Sequence, residues 1–390
     1  MANPGSTKRT ELKRIAHKAS HSQTELYRIL DSNLVAHVGI IFDGAPLVIP
    51  MAYGRVGNTL YLHGSSGSRL MRALSANPAV CISITHLKAL KVARSTFHSG
   101  MNYDSVVIFG NAALVPDEKK AWALDAAIKM MDLTTLEGMD TPERVRSLCL
   151  KALTPDPTDL DCPRPAAICV YGDMVKHAKK ALGDSGIYVA AVATAFPSGR
   201  ASVPVKLLDT KDAVKAGADE IDMVIDRGAF LSGNYLEVYK QIRAVKEACR
   251  RSDGSYAHLK VILETGELQT YDNIRQASYL AMLAGGDFIK TSTGKVGVNA
   301  TIPITLLMLQ AVRDWYDQHG VLIGVKPAGG IRTAKDAIKY LVVVKETAGD
   351  QWLNPDLFRF GASSLLNDVL MQRQKLKTGH YSGPDYVSVD

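Results

Sequence analysis

The chain has 390 residues, of which 46% are hydrophobic and 22% charged, and this composition excludes an intrinsically disordered protein. Its 46 basic and 39 acidic residues give a net charge of +7. Residues 1–125 hold 14 basic and 8 acidic residues, whereas the rest of the chain holds 32 basic and 31 acidic residues. The net positive charge therefore lies mainly in the first third of the chain.

The length is typical of two domains, which we expect to be intracellular. The N-terminus is polar and basic rather than a signal peptide, and no apolar run reaches the roughly 18 residues of a membrane span. The cysteines form no C-x-x-C pair and are odd in number, which favours a reducing cytoplasm. They are Cys81, Cys149, Cys162, Cys169 and Cys249.

The first third of the chain predicts a small antiparallel β domain. Residues 1–24 lack sustained apolar periodicity and are expected to form a leader. Ser68 is a suitable N-cap for a helix that Pro78 would end. Short β-rich runs surround this helix, and we therefore predict an antiparallel barrel over residues 25–125. These runs are 34–42, 47–53, 59–63, 80–85, 92–95 and 105–115.

The remainder of the chain alternates apolar strands with amphipathic helices. A helix over 117–130 leads into it without a flexible linker. Eight strand candidates follow, each separated by enough chain for a helix, which predicts a (β/α)8 TIM barrel over residues 126–390. A doubly wound open sheet is the alternative. The strands are IKMMDLTTL, AAICVY, VAAVATAFP, EIDMVIDRG, HLKVILETG, DFIKTSTG, LIGVKPAGG and LFRFGASS.

Two lysines lie on successive strands of this predicted barrel. Lys290 is part of DFIKTSTGK and Lys326 occupies the comparable place in GVKPAGG. Burial disfavours the charged form of a lysine, and two ammonium groups on neighbouring strands repel each other. The neutral amine that results can attack a carbonyl, so the pair predicts a Schiff-base nucleophile. A single strand lysine would more often only support the structure.

Further polar residues stand where ligands bind in such barrels. Asp222, between Ile221 and Met223, needs a lysine partner or a proton-relay role, because an unpaired buried carboxylate is costly. The segments STGK, AGG and GASS place glycines, hydroxyls and a lysine at the ends of the last three strands. Backbone N–H groups there can approach a phosphate, which predicts a phosphorylated substrate.

These motifs resemble deoxyribose-phosphate aldolase. The resemblance rests on MDLTTL, AAICVY, EIDMVID, LETGEL, DFIKTSTGK, VKPAGGIRTAKDA and RFGASSLL, and it covers residues 126–390. It implies that Lys290 forms the Schiff base, that Lys326 lowers the pKa of Lys290, and that Asp222 relays protons through water. The implied reaction is the reversible cleavage of 2-deoxy-D-ribose 5-phosphate to D-glyceraldehyde 3-phosphate and acetaldehyde, with no metal or other cofactor.

The same resemblance implies the substrate contacts. Asp132 and Thr293 would lie near the substrate hydroxyls, and Cys169 near the site as a small buried hydrophobe. A C-terminal tyrosine, either Tyr381 or Tyr386, would assist proton transfer. The residues implied around the phosphate are Gly294, Lys295, Gly329, Gly330, Ser363 and Ser364.

Residues 20–125 are similar to the pyridoxamine-phosphate-oxidase-like flavin-binding split barrels. The similarity rests on IPMAYGRVGNTLYLHGSSGSRLMRAL and ARSTFHSGMNYDSVVIFG, and the barrel is truncated where the aldolase-like part begins. No acidic residue lies between Asp43 and Asp104, which suits an anionic ligand. The resemblance implies that FMN phosphate would be held by Ser65, Ser66, Arg69 and Arg72.

Three functional alternatives follow from the sequence. The first is an aldolase with a degenerate N-terminal module for folding or dimerisation, and the second is a bifunctional fusion protein that also binds FMN. The third is a non-enzymatic binder of a phosphate ligand. The resemblance implies a homo-oligomer, specifically a dimer. We expect no nucleic-acid partner, because the basic region lacks interleaved aromatic residues.

Overall fold

The computed structural model describes residues 7–20, 22–65, 67–92 and 100–380. The chain forms two compact units, residues 1–116 and 117–390. The helix predicted over 117–130 belongs to the second unit, and the division into 1–24, 25–125 and 126–390 remains a sequence-based prediction. Within the described ranges, no helix is both long enough and apolar enough to cross a membrane.

The described residues of the first unit form an antiparallel sheet, two α-helices and a short 3-10 helix (Ala16–Lys18). The helix α2 begins after Ser68, whose side chain accepts a hydrogen bond from Met71 N, as the sequence predicted. The elements are α1 (Gln23–Asp31), β1 (Val35–Phe42), β2 (Ala45–Val56), β3 (Thr59–Leu62), α2 (Arg69–Ala76), β4 (Ala79–Lys91) and β5 (Gly100–Asn111).

The sheet of the first unit has five strands in the order β3-β2-β1-β4-β5. Asp43 and Gly44 join β1 to β2 with φ of 50° and 76°, and two positive φ angles are what a tight hairpin turn requires. Alternate residues of β1, namely Ala36, Val38 and Ile40, are buried and pack with the two helices. One face of the sheet therefore forms the core of this unit.

The second unit contains eight parallel strands separated by helices. The strands are β6 (Met131–Thr134), β7 (Ala167–Tyr171), β8 (Tyr188–Ala193), β9 (Glu220–Val224), β10 (His258–Ile262), β11 (Phe288–Lys290), β12 (Gly324–Lys326) and β13 (Phe360–Ala362). The helices are α3 (Asp117–Lys129), α4 (Pro142–Leu153), α5 (Val175–Leu182), α6 (Val203–Lys215), α7 (Arg227–Leu231), α8 (Tyr235–Ala248), α9 (Thr265–Leu268), α10 (Tyr271–Leu283), α11 (Ile302–His319), α12 (Ala334–Ala348) and α13 (Leu365–Thr378).

The eight strands form a nearly closed barrel, which confirms the predicted TIM-like fold. Their order is β12-β11-β10-β9-β8-β7-β6-β13. Isolated parallel bridges, Val325 to Phe358 and Ala328 to Gly361, join the two ends of this order. The open doubly wound alternative is therefore wrong, because its edge strands would not meet.

Several helices of the second unit begin after residues whose side chains satisfy free backbone N–H groups. In four of them a threonine hydroxyl accepts from the N–H three residues later, which is the usual N-cap contact. These caps are Thr141, Thr270, Thr301 and Thr333. Apolar faces of these helices pack on the outside of the strands and leave the barrel interior to inward-pointing side chains.

Candidate active site

The two lysines and the aspartate predicted to be catalytic meet inside the barrel. Lys290 and Lys326 end β11 and β12, lie opposite each other in the strand register, and are buried. Asp222 points inward from β9, and its Oδ2 accepts from Lys290 Nζ at 2.7 Å and from Lys326 Nζ at 2.8 Å. One carboxylate oxygen thus contacts both amines.

Asp132 contacts the far side of Lys326. Lys326 Nζ lies 2.5 Å from Asp132 Oδ2, and Arg359 Nη1 donates to Asp132 Oδ1 at 2.6 Å. Burial favours the neutral form of Asp132, but Lys326, Arg359 and Lys260 outweigh it and hold the pKa of this carboxyl below its usual range. Asp132 is therefore an anion inside the barrel.

Lys326 remains charged in this environment. Burial favours its neutral form, yet Asp132 and Asp222 reverse that effect and raise the pKa of Lys326 well above its ordinary value. Asp222 shows the opposite shift, because Lys290, Lys326 and Lys260 overcome burial and hold its pKa well below normal. Repulsion between the two ammonium groups is thus not the only electrostatic effect on the lysine pair, because the Asp222 carboxylate bridges them.

A second layer of buried charges lies below this site, and the sequence reasoning missed it. Lys260 on β10 pairs with Glu220 and lies 3.6 Å from Asp222 Oδ1. Arg359, which immediately precedes β13, donates from Nη2 to Glu220 Oε1 at 3.0 Å. Glu220 and Asp222 are two residues apart on one strand and share a face, which is the pattern that could have found Glu220.

The assembled cluster contains one more cation than it has carboxylates. The anions are Asp132, Glu220 and Asp222, and the cations are Lys260, Lys290, Lys326 and Arg359. All seven side chains are buried, so unbalanced charge is costly there. Loss of a single proton from one lysine balances the cluster.

The loop after β11 carries Thr293, Gly294 and Lys295 next to this cluster. Thr293 is buried, and its hydroxyl donates to Glu264 Oε2 at 2.6 Å. Gly294 has a φ of 80°, which favours glycine. Lys295 Nζ lies 2.9 Å from Glu137 Oε1, so this predicted phosphate contact is paired with a carboxylate in the structure.

The bridge between Ala328 and Gly361 joins the loop after β12 to strand β13. Gly329 and Gly330 have φ of 77° and 84°, and a Cβ on Gly329 would lie 2.7 Å from the Asn299 side chain. Ser363 and Ser364 are exposed and directly precede α13. The structure therefore places these predicted residues at the carboxyl end of the barrel, where backbone N–H groups and a helix N-terminus are available.

An apolar group of side chains lines the interior on β7 and β8. Cys169 is fully buried there, and burial raises the pKa of its thiol. Its neighbours are Leu136, Ala190 and Val192, with Tyr171 and Phe196 packed against them. The predicted tyrosines Tyr381 and Tyr386, like Ser66, lie outside the described residues.

The predicted FMN contacts in the first unit surround the start of α2. Ser65 Oγ accepts from Gly67 N at 3.3 Å, and the Arg69 guanidinium lies 5.4 Å from the centre of the Phe42 ring. Arg69 and Arg72 are both exposed. Among the described residues, no group of three or more His, Cys, Asp or Glu side chains is arranged for a metal ion.

Comparison with known proteins identifies the barrel. A family model for the DeoC/LacD family aldolases matches residues 126–370. The chain belongs to the DeoC/LacD aldolase family. The non-enzymatic alternative is therefore set aside. A second family model, for pyridoxamine 5'-phosphate oxidase, matches residues 22–151 of the aldolase.

Several relatives of this aldolase are named as deoxyribose-phosphate aldolases. The deoxyribose-phosphate aldolases of Homo sapiens and Mus musculus are each 47% identical to it over 272 residues, which is 67% of this chain and 84% of theirs. The tetrameric deoxyribose phosphate aldolase of Aeropyrum pernix superposes with a TM-score of 0.50 at 26% identity. That match covers 66% of the aldolase described here and 93% of the other chain.

Proposed function

We propose that this aldolase cleaves 2-deoxy-D-ribose 5-phosphate reversibly to D-glyceraldehyde 3-phosphate and acetaldehyde through a Schiff base on Lys290. The observation that carries the proposal is the buried Lys290 amine, 2.7 Å from Asp222 Oδ2 and opposite Lys326. The names of the relatives indicate the substrate, and the buried cluster supports Schiff-base chemistry.

In the first step the neutral amine of Lys290 attacks the C1 carbonyl of the open-chain sugar, and loss of water gives an iminium ion. The cluster holds one more cation than it has carboxylates, so an uncharged lysine balances its charges. Asp222 then faces a positive iminium nitrogen and stabilises it, as a preorganised carboxylate does in a buried site.

Bond cleavage follows from the electron demand of the iminium. A base removes the C3 hydroxyl proton, the C2–C3 bond breaks, and D-glyceraldehyde 3-phosphate leaves while the bond electrons form an enamine. Protonation of the enamine at C2 and hydrolysis release acetaldehyde and restore Lys290. Asp222 relays these protons through water; within the described residues its Oδ1 accepts no hydrogen bond and so can accept one from water.

The phosphate group of the substrate is assigned to the loops after the last three strands. Gly294, Gly329 and Gly330 give backbone access, Lys295 supplies charge, and Ser363 and Ser364 precede the N-terminus of α13. Helix N-termini and flexible glycine loops bind phosphate in barrels of this kind. Asp132 and Thr293 are assigned to the substrate hydroxyls.

The full-length protein tests this proposal with 2-deoxy-D-ribose 5-phosphate as substrate and enzymatic detection of D-glyceraldehyde 3-phosphate. We expect turnover by the unmodified protein, none above background by Lys290→Met, and much weaker activity on 2-deoxyribose without phosphate. Lys335→Met, which changes an exposed lysine of α12, is the matched control and should stay active. An inactive folded protein, or an active Lys290→Met, would refute the proposal.

A second function is proposed for the first unit, namely FMN binding. The observation that favours it is the match to the pyridoxamine 5'-phosphate oxidase model together with two arginines beside the start of α2. Guanidinium groups and a serine hydroxyl suit a phosphate, and the described residues 44–92 contain no carboxylate side chain to oppose it. Ser65, Arg69 and Arg72 would hold the phosphate group, which anchors the redox-active flavin when it is bound.

Titration of the purified full chain with FMN tests this second function. We expect quenching of flavin fluorescence on binding, weaker binding of riboflavin because it lacks the phosphate, and loss of that difference in the Arg69→Met/Arg72→Met double variant. If neither flavin binds at any concentration tested, the first unit is the degenerate module that the sequence left open as an alternative.

We also propose that the chain forms a homo-oligomer in the cytoplasm, with a dimer as the expected state. The Aeropyrum pernix relative is tetrameric, which supports association of barrels of this family.

A further inference from the structure

Glu264 is a buried carboxylate that the proposed mechanism does not use. It follows β10, and its flanking N–H groups bond to the end of β11 and to the residue after it: Leu263 N donates to Lys290 O at 3.0 Å, and Thr265 N to Thr291 O at 2.9 Å. Its backbone has φ 54° and ψ 60°, a left-handed conformation that costs energy outside glycine. This backbone holds the side chain beside the substrate loop.

The Glu264 carboxylate receives donors from the loop after β11 and from the start of α7. Thr293 donates twice, from its N–H at 3.2 Å to Oε1 and from its hydroxyl at 2.6 Å to Oε2. Arg227 donates from Nη1 to Oε2 at 3.2 Å, and it also contacts Ser198 O and Glu267. Burial raises the pKa of Glu264, and the Thr293 donors and Arg227 oppose that shift.

These contacts fix the direction of the Thr293 hydroxyl. A threonine hydroxyl has one proton and two lone pairs. The proton is committed to Glu264, and one lone pair accepts from Lys295 N at 3.1 Å. In the described part of the chain the second lone pair accepts from no other group. Thr293 Oγ1 can therefore only accept from a substrate, and it cannot donate to one.

We infer that Glu264 is a specificity-determining positioning residue, which makes Thr293 Oγ1 an obligate acceptor for the C4 hydroxyl of the sugar phosphate. This inference rests on the proposed function. The C4 hydroxyl is the one indicated because Thr293 stands in the chain between Lys290, proposed to bind C1, and Lys295, whose N–H donates to Thr293 and which is assigned to the phosphate on C5. A site built to pair with a hydroxyl rejects analogues that lack it.

The reverse reaction, condensation of two aldehydes, can test recognition of this hydroxyl separately. Acetaldehyde is supplied as donor with either D-glyceraldehyde 3-phosphate, whose C2 hydroxyl becomes C4–OH, or 3-phosphooxypropanal, which lacks that hydroxyl. The ratio of kcat/KM for the two acceptors measures recognition of the hydroxyl independently of overall activity. We expect the unmodified protein to prefer the hydroxylated acceptor.

Glu264→Gln should lower this preference about tenfold or more, because an amide nitrogen can donate to Thr293 Oγ1 and free its proton to point at the substrate. Glu267→Gln is the matched control. Glu267 also contacts Arg227 and lies on α9, the short helix that Glu264 directly precedes. It is partly exposed and does not contact Thr293 among the contacts described, so the Glu267→Gln variant should keep the preference for the hydroxylated acceptor.

A second pair of variants tests the same inference where Glu264→Gln fails to fold. Thr293→Ser should retain the preference, and Thr293→Val should lose it. The inference is overturned if Glu264→Gln slows both acceptors equally, or if Thr293→Val keeps the preference. Borohydride labelling with acetaldehyde separates this outcome from failure of the proposed function: an unmodified protein that condenses neither acceptor and takes no label on Lys290 overturns both.

Discussion

Asp222 connects both lysines of the site through one oxygen atom, and this contact changes how the pair is understood. Two neighbouring ammonium groups alone would repel. With Asp222 and Asp132 present, Lys326 becomes a stable cation whose pKa is raised, while the buried cluster still holds one more cation than it has carboxylates. Removal of one cation therefore balances the charges of the cluster.

Replacement of Lys326 by leucine tests this balance. The cluster then has three carboxylates and three cations, so Lys290 can keep its proton without surplus charge. We expect low activity near neutral pH and a pH–rate profile that rises at higher pH than in the unmodified protein, because the neighbouring cation is gone. Lys335→Leu is the control, and an unchanged profile in Lys326→Leu would contradict the charge argument.

Lys290, Lys326 and Asp222 were predicted because each is a charged residue in an apolar strand, and the structure brings the three side chains together. Lys260 also lies in an apolar strand, but its carboxylate partners become visible only when strand register is known. Glu264 gave no comparable signal. Its importance depends on a left-handed backbone and on a contact with Thr293, which no local pattern predicts.

At the scale of elements, the pairing of β11 with β12 sets the two lysines opposite each other. Two residues earlier in the same register, Phe288 lies opposite Gly324. A Cβ on Gly324 would lie 2.2 Å from the Phe288 ring, so the ring occupies the space that any other side chain would need. The glycine thus allows the ring to pack between strands directly below Lys290 and Lys326.

Gly324→Ala is expected to destabilise the barrel by about 1–3 kcal/mol, because the Phe288 ring must move in a packed interior. Urea unfolding followed by tryptophan fluorescence measures this change, since Trp122, Trp315 and Trp352 all lie in the second unit. Gly138→Ala is the control, as a Cβ there meets nothing within 4 Å. Equal stability of the two variants would show that the ring adjusts freely.

At the scale of the whole molecule, the alternation of strand and helix in the sequence predicted the barrel well. All eight strands appear in the predicted order, and the change from β-rich runs to alternating elements separated two kinds of unit. The eight repeats predicted a closed barrel, but the residues that bridge the two ends of the strand order could not be named from the sequence. Periodicity describes single elements, whereas closure depends on contacts distant in sequence.

The account of the whole molecule depends on covalent chemistry at one residue. Acetaldehyde and sodium borohydride, added to the full-length protein, should reduce the Schiff base to a stable ethyl adduct that peptide mass mapping can locate. We predict one ethyl group per chain on Lys290 and none on Lys260 or Lys326. A label on another lysine, or no label in a folded protein, would contradict the assignment of Lys290 as the nucleophile.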